Sequence, residues 1–325
     1  MEKPRLTRRP FLAAALAAPF AAHAQAAWPD RPIRLIVPFA PGGTTDIVAR
    51  VLAPRLTTSL GVSVVVENRG GAGGTVGMEI VARAPPDGYT LMLGHIGTLG
   101  VNPTLYPRLS FDPVGGFAPI SMLALVPNVL AVHPAVPAQN LQELLALAKR
   151  RPGELTYGSA GNGSAAHIAG AALAHAAGVE FTHVPYRGTG PMANDLVAGT
   201  ISFTMSGGTA VMPLVRDGRL RALGVSSAQR MQAYPEIPTI AEQGVPGFET
   251  TQWYCLVTTA GVPAPIIARL NAEVHRAMND PDVQARLAAE GAESAPGTPE
   301  ALGTFIRAEV ARWAEVIRLT GMRAD

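Results

Sequence analysis

The sequence predicts an α/β fold with mixed, mainly parallel sheets and helices on both faces. Three observations carry this reading. Short apolar runs alternate with segments whose apolar side chains recur at helical spacing. The junctions where a run ends and a periodic segment begins are rich in glycine and serine. The roughly 300 residues that follow an export segment exceed one ordinary core, so two lobes are expected.

The chain has 325 residues, and the first 26 read as a cleaved signal peptide. Lys3, Arg5, Arg8 and Arg9 form a basic start, residues 11–22 an apolar alanine-rich stretch, and Ala22-His23-Ala24 and Ala24-Gln25-Ala26 are small-x-small cleavage sites. Thr7-Arg8-Arg9-Pro10-Phe11-Leu12 resembles a twin-arginine export signal. Cleavage lowers Lys+Arg from 26 to 22 and Asp+Glu from 24 to 23, so the net charge moves from +2 to −1. A near-neutral chain without a basic cluster argues against nucleic acid or a membrane surface as partner. Its only lysines are Lys3 and Lys149, which excludes a Gly-Lys-Ser/Thr phosphate loop. Cys255 is the only cysteine, lies in the apolar run Trp253-Tyr254-Cys255-Leu256-Val257, and reads as a buried small hydrophobe.

Residues 33–37 form the first strand. The turn Val37-Pro38-Phe39-Ala40-Pro41-Gly42-Gly43-Thr44-Thr45-Asp46 follows, with Thr44, Thr45 and Asp46 available to cap a helix carrying Ile47, Val48, Val51, Leu52 and Leu56. A strand over 62–66, a glycine loop over 67–74 and a helix over 75–82 repeat the unit. A strand over 90–93 ends at Gly94-His95-Ile96-Gly97-Thr98, and an irregular stretch follows. Strands are expected at 120–125 and 128–132, then a helix over 141–149 with Asn140 and Glu143 as its capping box. A short strand at 155–157 runs into Gly158-Ser159-Ala160-Gly161-Asn162-Gly163-Ser164 and a helix over 165–176. Strands at 181–184, 201–205, 220–225 and 253–258 complete the sheets. Helices over 265–278, after Pro281 and after Pro299 close the chain, the last with a core stripe of Leu302, Phe305, Ile306, Val310, Trp313 and Ile317.

A strand, a glycine turn and a helix start place free backbone N–H groups at one sheet edge, where an anion can bind. The loops at 41–46 and 158–164 both have this form, and across two lobes they would grip a carboxylate from both sides. Gly161-Asn162-Gly163-Ser164-Ala165-Ala166 fits a dinucleotide fingerprint only loosely, follows a very short strand, and has no acidic residue suitably placed about 20 positions on. No serine stands in G-x-S-x-G, and the histidines show no metal spacing, so no cofactor or metal is expected. His167, one turn into its helix, either reaches a ligand or packs the helix.

The residues carry a family resemblance over the span from about Trp28 to the C-terminus. Its marks are Trp28-Pro29-Asp30-Arg31-Pro32-Ile33, Val37-Pro38-Phe39-Ala40-Pro41-Gly42-Gly43, Glu67-Asn68-Arg69-Gly70-Gly71-Ala72-Gly73-Gly74 and Pro86-Asp87-Gly88-Tyr89-Thr90. Further on stand Tyr157-Gly158-Ser159-Ala160-Gly161, Val184-Pro185-Tyr186-Arg187-Gly188, Leu220-Arg221-Ala222-Leu223 and Leu270-Asn271-Ala272-Glu273-Val274. The sequence resembles the Bug family, the extracytoplasmic solute-binding proteins of tripartite tricarboxylate transporters. The resemblance implies a two-lobed periplasmic binding protein fold of type II, with one lobe from residues 27–125 and 249–325 and the other from 126–248. Crossings near 125 and 248 would form the hinge. The expected partners are a small organic acid and the integral membrane permease subunits, and the chain is expected to be a periplasmic monomer. The resemblance assigns the ligand to Phe39, Ala40, Gly42, Gly43, Thr44 and Thr45 on one lobe and to Ser159, Ala160, Gly161, Ser164 and His167 on the other. His95, Arg187 and Ser206, at strand ends, complete the expected set.

One departure bears on specificity. Where many members carry an aspartate in a Phe-Asp pair, this chain has Met205-Ser206, and Ser202 also stands where an acid is frequent. Loss of the acid argues against an amine-bearing ligand and favours a plain carboxylate. The expected function is a receptor that performs no chemistry. The alternatives are a ligand sensor that presents its closed form to a sensor kinase, and a secreted α/β esterase.

Overall fold

The computed structural model describes residues 28–289 and 291–324; the export segment expected at 1–26 lies outside the described residues. The first sheet opens with β1 (Ile33–Val37), α1 (Thr44–Leu60), β2 (Val64–Asn68), a 3-10 turn Ala72–Gly74 and α2 (Thr75–Ala82). β3 (Thr90–His95), a π-helical turn Ile96–Val101 and α3 (Asn102–Leu105) lead to β4 (Phe117–Val126). The chain then crosses through Pro127 into a second sheet. That body comprises β5 (Asn128–Val132), α4 (Leu141–Arg150), β6 (Thr156–Ser159), α5 (Ala165–Ala177), β7 (Thr182–Pro185), α6 (Thr189–Val197), β8 (Phe203–Gly207), α7 (Gly208–Arg216) and β9 (Arg221–Val225). It returns to the first sheet as β10 (Gln252–Thr259), followed by α8 (Ala264–Met278), α9 (Pro281–Ala289), β11 (Glu293–Ser294) and α10 (Pro299–Thr320).

The strand orders are β11-β4-β10-β3-β1-β2 and β7-β6-β8-β5-β9. The sheets are mixed, but not mainly parallel as expected. β1 pairs in parallel with β2 and β3, and β6 with β7 and β8, whereas every pairing of β4, β5 and β10 is antiparallel. Helix crossovers enforce parallel pairing only within the βα units. The strands that carry the chain between bodies run against them.

Each sheet is covered by apolar layers on both faces. Leu35, Leu52, Leu56, Leu91, Leu93 and Leu256 pack on one side of the first sheet, and Ile36, Met78, Met92, Trp253 and Trp313 on the other. Leu130, Leu144, Leu173 and Phe203 cover one face of the second sheet, and Val129, Met192, Leu196 and Val211 the other. Fully burying such a side chain contributes about 1.5–3 kcal/mol. α10 keeps the expected stripe and adds an acid to it. Glu309 is buried and accepts the indole N–H of Trp253 at 2.7 Å and of Trp313 at 2.9 Å, with Arg312 at 3.2 Å. That satisfied carboxylate ties α10 to β10.

Asn140 caps α4 by accepting from the Glu143 N–H at 2.9 Å. The Glu143 carboxylate reaches the Gln139 N–H and the Asn140 side-chain amide, so the expected reciprocal bond is displaced by one residue. The sequence reading missed α6 and α7. Gly190-Pro191 in the first turn of α6 and Pro213 inside α7 mask their periodicity. The stretch after β3 is ordered as the fully buried π-turn. The crossings between bodies are tied to each other: Asn128 N–H donates to Ser226 Oγ at 2.9 Å, Thr250 N–H to Ser226 O at 3.0 Å, and the Asn128 amide to Thr250 O.

Candidate functional site

A cleft of about 900 Å³ lies between the two sheets and is lined from both. Residues of the loops at 41–46 and 158–164 meet there: Pro41, Gly43, Thr44 and Thr45 line it from the first body, Ala160, Gly161 and Ser164 from the second. A second cavity of about 710 Å³ is walled by the second body alone, with Pro134, Val215, Arg221 and Tyr234. It contains none of the expected site residues.

The cleft is built from helix starts. α1, α6 and α7 begin after Gly43, Gly188 and Gly207, and no side chain caps any of the three. All three glycines line the cleft. A helix start without a side-chain cap leaves its positive dipole end and part of its first turn of N–H groups open to a ligand, although the Gly208 N–H at α7 donates to Pro127 O at 3.3 Å and the Asp46 N–H at α1 to Gly43 O at 2.9 Å. The three starts face one another: a Cβ on Gly43 would lie 3.6 Å from Thr189 Oγ1, one on Gly188 3.7 Å from Ala40 Cβ, and the Thr44 and Thr209 hydroxyls share a hydrogen bond.

This overturns one expectation. Thr44 and Thr45 are the first residues of α1, not its caps; both are buried, and the Thr44 hydroxyl bonds that of Thr209. Asp46 braces the loop instead. Its carboxylate accepts from Gly42 N–H at 3.0 Å, Arg50 at 2.9 Å and the Asn68 amide at 3.0 Å, and the same amide also donates to Phe39 O at 3.1 Å. Burial alone would raise this carboxyl's pKa, but the three donors outweigh it and hold it below the usual value. The acid therefore stays ionised and engaged.

The floor is neutral and aromatic. Phe39 meets His95 edge-on with centroids 5.2 Å apart, and His95 meets Tyr254 at 5.2 Å. His95 Nδ1 accepts the Gly97 N–H at 2.9 Å, and burial pushes the imidazole down to about 4. Burial also pushes the Tyr254 hydroxyl up. Gln252 takes the Tyr254 hydroxyl on its carbonyl and donates to Asn128, so hydrogen bonds run from the cleft to the crossing.

Among the described residues one charged side chain lines the cleft, Arg187, which is exposed and makes no ion pair. No aspartate or glutamate lines it. Ser206, on β8, lines it at the position of the expected acid; Ser202, at the other end of that strand, bonds Thr156 and lies outside the cleft.

Of the expected set, Phe39, Ala40, Gly43, Thr44, Thr45, His95, Ala160, Gly161, Ser164, Arg187 and Ser206 line the cleft, while Gly42, Ser159 and His167 do not. Gly42 has φ +86° and shapes the turn behind the wall. Ser159 is fully buried and bonds His183 Nε2 at 2.7 Å and the Gly161 N–H at 3.1 Å. It forms a Ser–His pair whose hydroxyl is buried and does not line the cleft. His167 stacks on His183 with centroids 4.0 Å apart and accepts the Gly163 N–H at 3.1 Å. Burial and the His183 imidazole push His167 down to about 3. These two histidines support the second loop from beneath.

The sequence reading missed Gln252 and Tyr254, which alternate in an apolar strand and so share a face. A glutamine in such a strand is the available signal. It also missed the walls at Gly70–Gly74 and Gly188–Gly190, which repeat the strand–glycine–helix form of the loops it did select.

Residues 48–322 match the family model described as tripartite tricarboxylate transporter family receptor, TctC. BugT of Bordetella pertussis is 38% identical over 311 residues, covering 95% of this chain and 94% of that protein. Rpa4515 of R. palustris, solved with adipate, superposes with a TM-score of 0.87 at 38% identity, over 91% of this chain and 99% of that one. MatC of Rhodopseudomonas palustris, solved with bound malate, gives 0.83 at 35% identity, over 89% and 99%. With its sheets, its cleft and this breadth of similarity, the chain belongs to the tripartite tricarboxylate transporter receptor (TctC) family of solute-binding proteins, to which the Bug proteins belong.

Proposed function

We propose that this chain is a periplasmic receptor that captures a small organic carboxylate between its two bodies and delivers it to the permease subunits of a tripartite tricarboxylate-type transporter. The observation that carries the reading is the convergence of three uncapped helix starts, at Gly43, Gly188 and Gly207, on a cleft whose one charged side chain is Arg187. Backbone N–H groups and dipole ends favour an anion, and no carboxylate is there to receive an ammonium. The ligand's carboxylate sits at Thr44 and Thr45 within reach of Gly207 and Ser206; Arg187 meets the far end. Phe39 and Ala160 border the apolar middle. Adipate and malate in the structures of relatives fit this chemistry.

In this reading the lobes are residues 27–125 with 249–325, and 126–248. They close about the Asn128–Ser226–Thr250 crossing, and the closed monomer is what the permease recognises. The basic and apolar leader at 1–26 supports export, and the buried Ser159 supports binding without turnover. The test is calorimetric titration of the mature chain with adipate, malate and other simple carboxylates beside basic and zwitterionic amino acids. Binding of carboxylates with no response to the amino acids is expected. Binding of an amino acid with no response to simple carboxylates overturns the reading. Co-purification of the acid-loaded chain with its membrane subunits tests delivery.

A further inference from the structure

α5 is held from two sides. Ala169 and Leu173 pack into the second body with Leu144 and Phe203. Ala165 and Ile168 instead belong to a cluster of the first body, with Ile96, Leu99, Leu105, Trp313, Ile317 and Met322; Ile168 is 1% exposed. α10 of the first body touches α5 directly. The apolar contact between bodies thus lies directly behind the helix start whose N-cap, Ser164, lines the cleft.

The opposite wall is the π-turn Ile96–Val101, all six residues of which are buried. Single π-turns in proteins frequently sit at functional places. Here the turn brings the Gly97 backbone against the second body: a Cβ on Gly97 would stand 2.5 Å from the Gly163 carbonyl oxygen, closer than real Cβ atoms come. From the other side, a Cβ on Gly163 would lie 3.0 Å from Leu105 and 3.1 Å from Asn102 Oδ1. Neither Gly97 nor Ile168 lines the cleft.

We propose that the π-turn and the end of α10 form a seat for the amino end of α5, and that Gly97 and Ile168 are positioning residues that set how far the cleft closes. This rests on the reading of the chain as a receptor whose two lobes close on a ligand. Docking buries Ala165 and Ile168, which favours closure. It also takes Asn102 Oδ1, which has no donor among the described residues, out of water, which opposes it. The balance lets the seat engage and release. Closure then depends in part on a contact that no ligand touches: Ile168→Ala alters affinity without altering the site's chemistry, whereas a Cβ on Gly97 would also lie 3.1 Å from Nδ1 of the cleft-lining His95.

The experiment measures the distance between spin labels on Val65→Cys and Arg219→Cys, both exposed positions, one on each body; the native Cys255 is fully buried and stays unlabelled. The mature chain is examined alone and in 10 mM adipate. We expect a short-distance population at the separation of the present structure. Gly97→Ala should deplete it at least fivefold in both conditions, and raise the adipate Kd by a similar factor, with the melting temperature little changed. Ile168→Ala should act in the same direction. Gly88→Ala is the control, because its Cβ would meet Ile266 and Trp28 of the first body at 2.6 and 3.2 Å, away from both the seat and the cleft: it should lower the melting temperature and leave the distances alone. A wild-type chain with no short-distance population, or a Gly97→Ala chain with wild-type distances, overturns the seat. Absence of adipate binding while Gly97→Ala still depletes the short distances counts against the carboxylate reading and supports the seat.

Discussion

Gly43 is the residue on which the proposed carboxylate binding turns. Its φ of −85° suits any residue, and a Cβ there meets the Thr189 hydroxyl at an ordinary 3.6 Å. An aspartate is also a good N-cap, worth about 1 kcal/mol to a helix. Gly43→Asp is therefore expected to leave the melting temperature unchanged or slightly higher, while its carboxylate fills the N–H groups the ligand needs. Calorimetry should show carboxylate affinity falling by about 100-fold, roughly 2.7 kcal/mol; full affinity would remove this loop from the site. Arg187→Gln, at an exposed and unpaired position, should cost a dicarboxylate about 1 kcal/mol and a monocarboxylate less. Equal losses for both would place Arg187 away from the ligand's far end. The histidines make a different prediction. Burial holds His95 near 4 and, with His183, holds His167 near 3, against an ordinary 6.5. The unfolded chain takes up protons below about 6.5 and the folded chain does not, so stability is full above that pH and falls as pH drops toward 4. Thermal melts at pH 7.5 and pH 5 should show the drop, and His95→Gln should flatten it.

The helices divide by how they are capped. α4 and α5 carry side-chain caps, Asn140 and Ser164, whereas α1, α6 and α7 carry glycine. Asn140→Ala and Ser164→Ala should each cost about 1 kcal/mol of stability. Only Ser164→Ala should also weaken carboxylate binding, since only that cap lines the cleft. Parallel melts and titrations of the two variants check the contrast. The strand–glycine–helix units were legible because a strand's apolar run, a glycine turn and a helical stripe are local patterns. α6 and α7 escaped because glycine and proline in a short helix erase its period. Yet these two helices bring Gly188 and Gly207 to the cleft. The signature motifs at 28–33 and 86–90 do not reach the cleft. They meet each other instead: Tyr89 hydrogen-bonds Asp30, Arg31 pairs with Asp87 and lies over the Tyr89 ring, and Trp28 packs on it. They pin residues 28–33 to the first body.

At the scale of the molecule, two sheets are joined where Asn128, Ser226 and Thr250 meet, and the cleft lies between them. The sequence by itself determined the alternation of strand and helix, the apolar layers, the family, and most of both loops that line the cleft. All of these are written in local spacing and in motifs. The tertiary structure alone decided three things. The sheets are as much antiparallel as parallel, because strand direction depends on where the chain crosses between bodies. Ser159 and His167 turn away from the cleft, because both find a partner in His183, on the strand that follows α5. Gln252 and Tyr254 become the floor, because β10 returns from residue 252 to lie between β3 and β4. Each depends on contacts between segments distant in the chain, and periodicity in one sequence does not encode which distant segments meet.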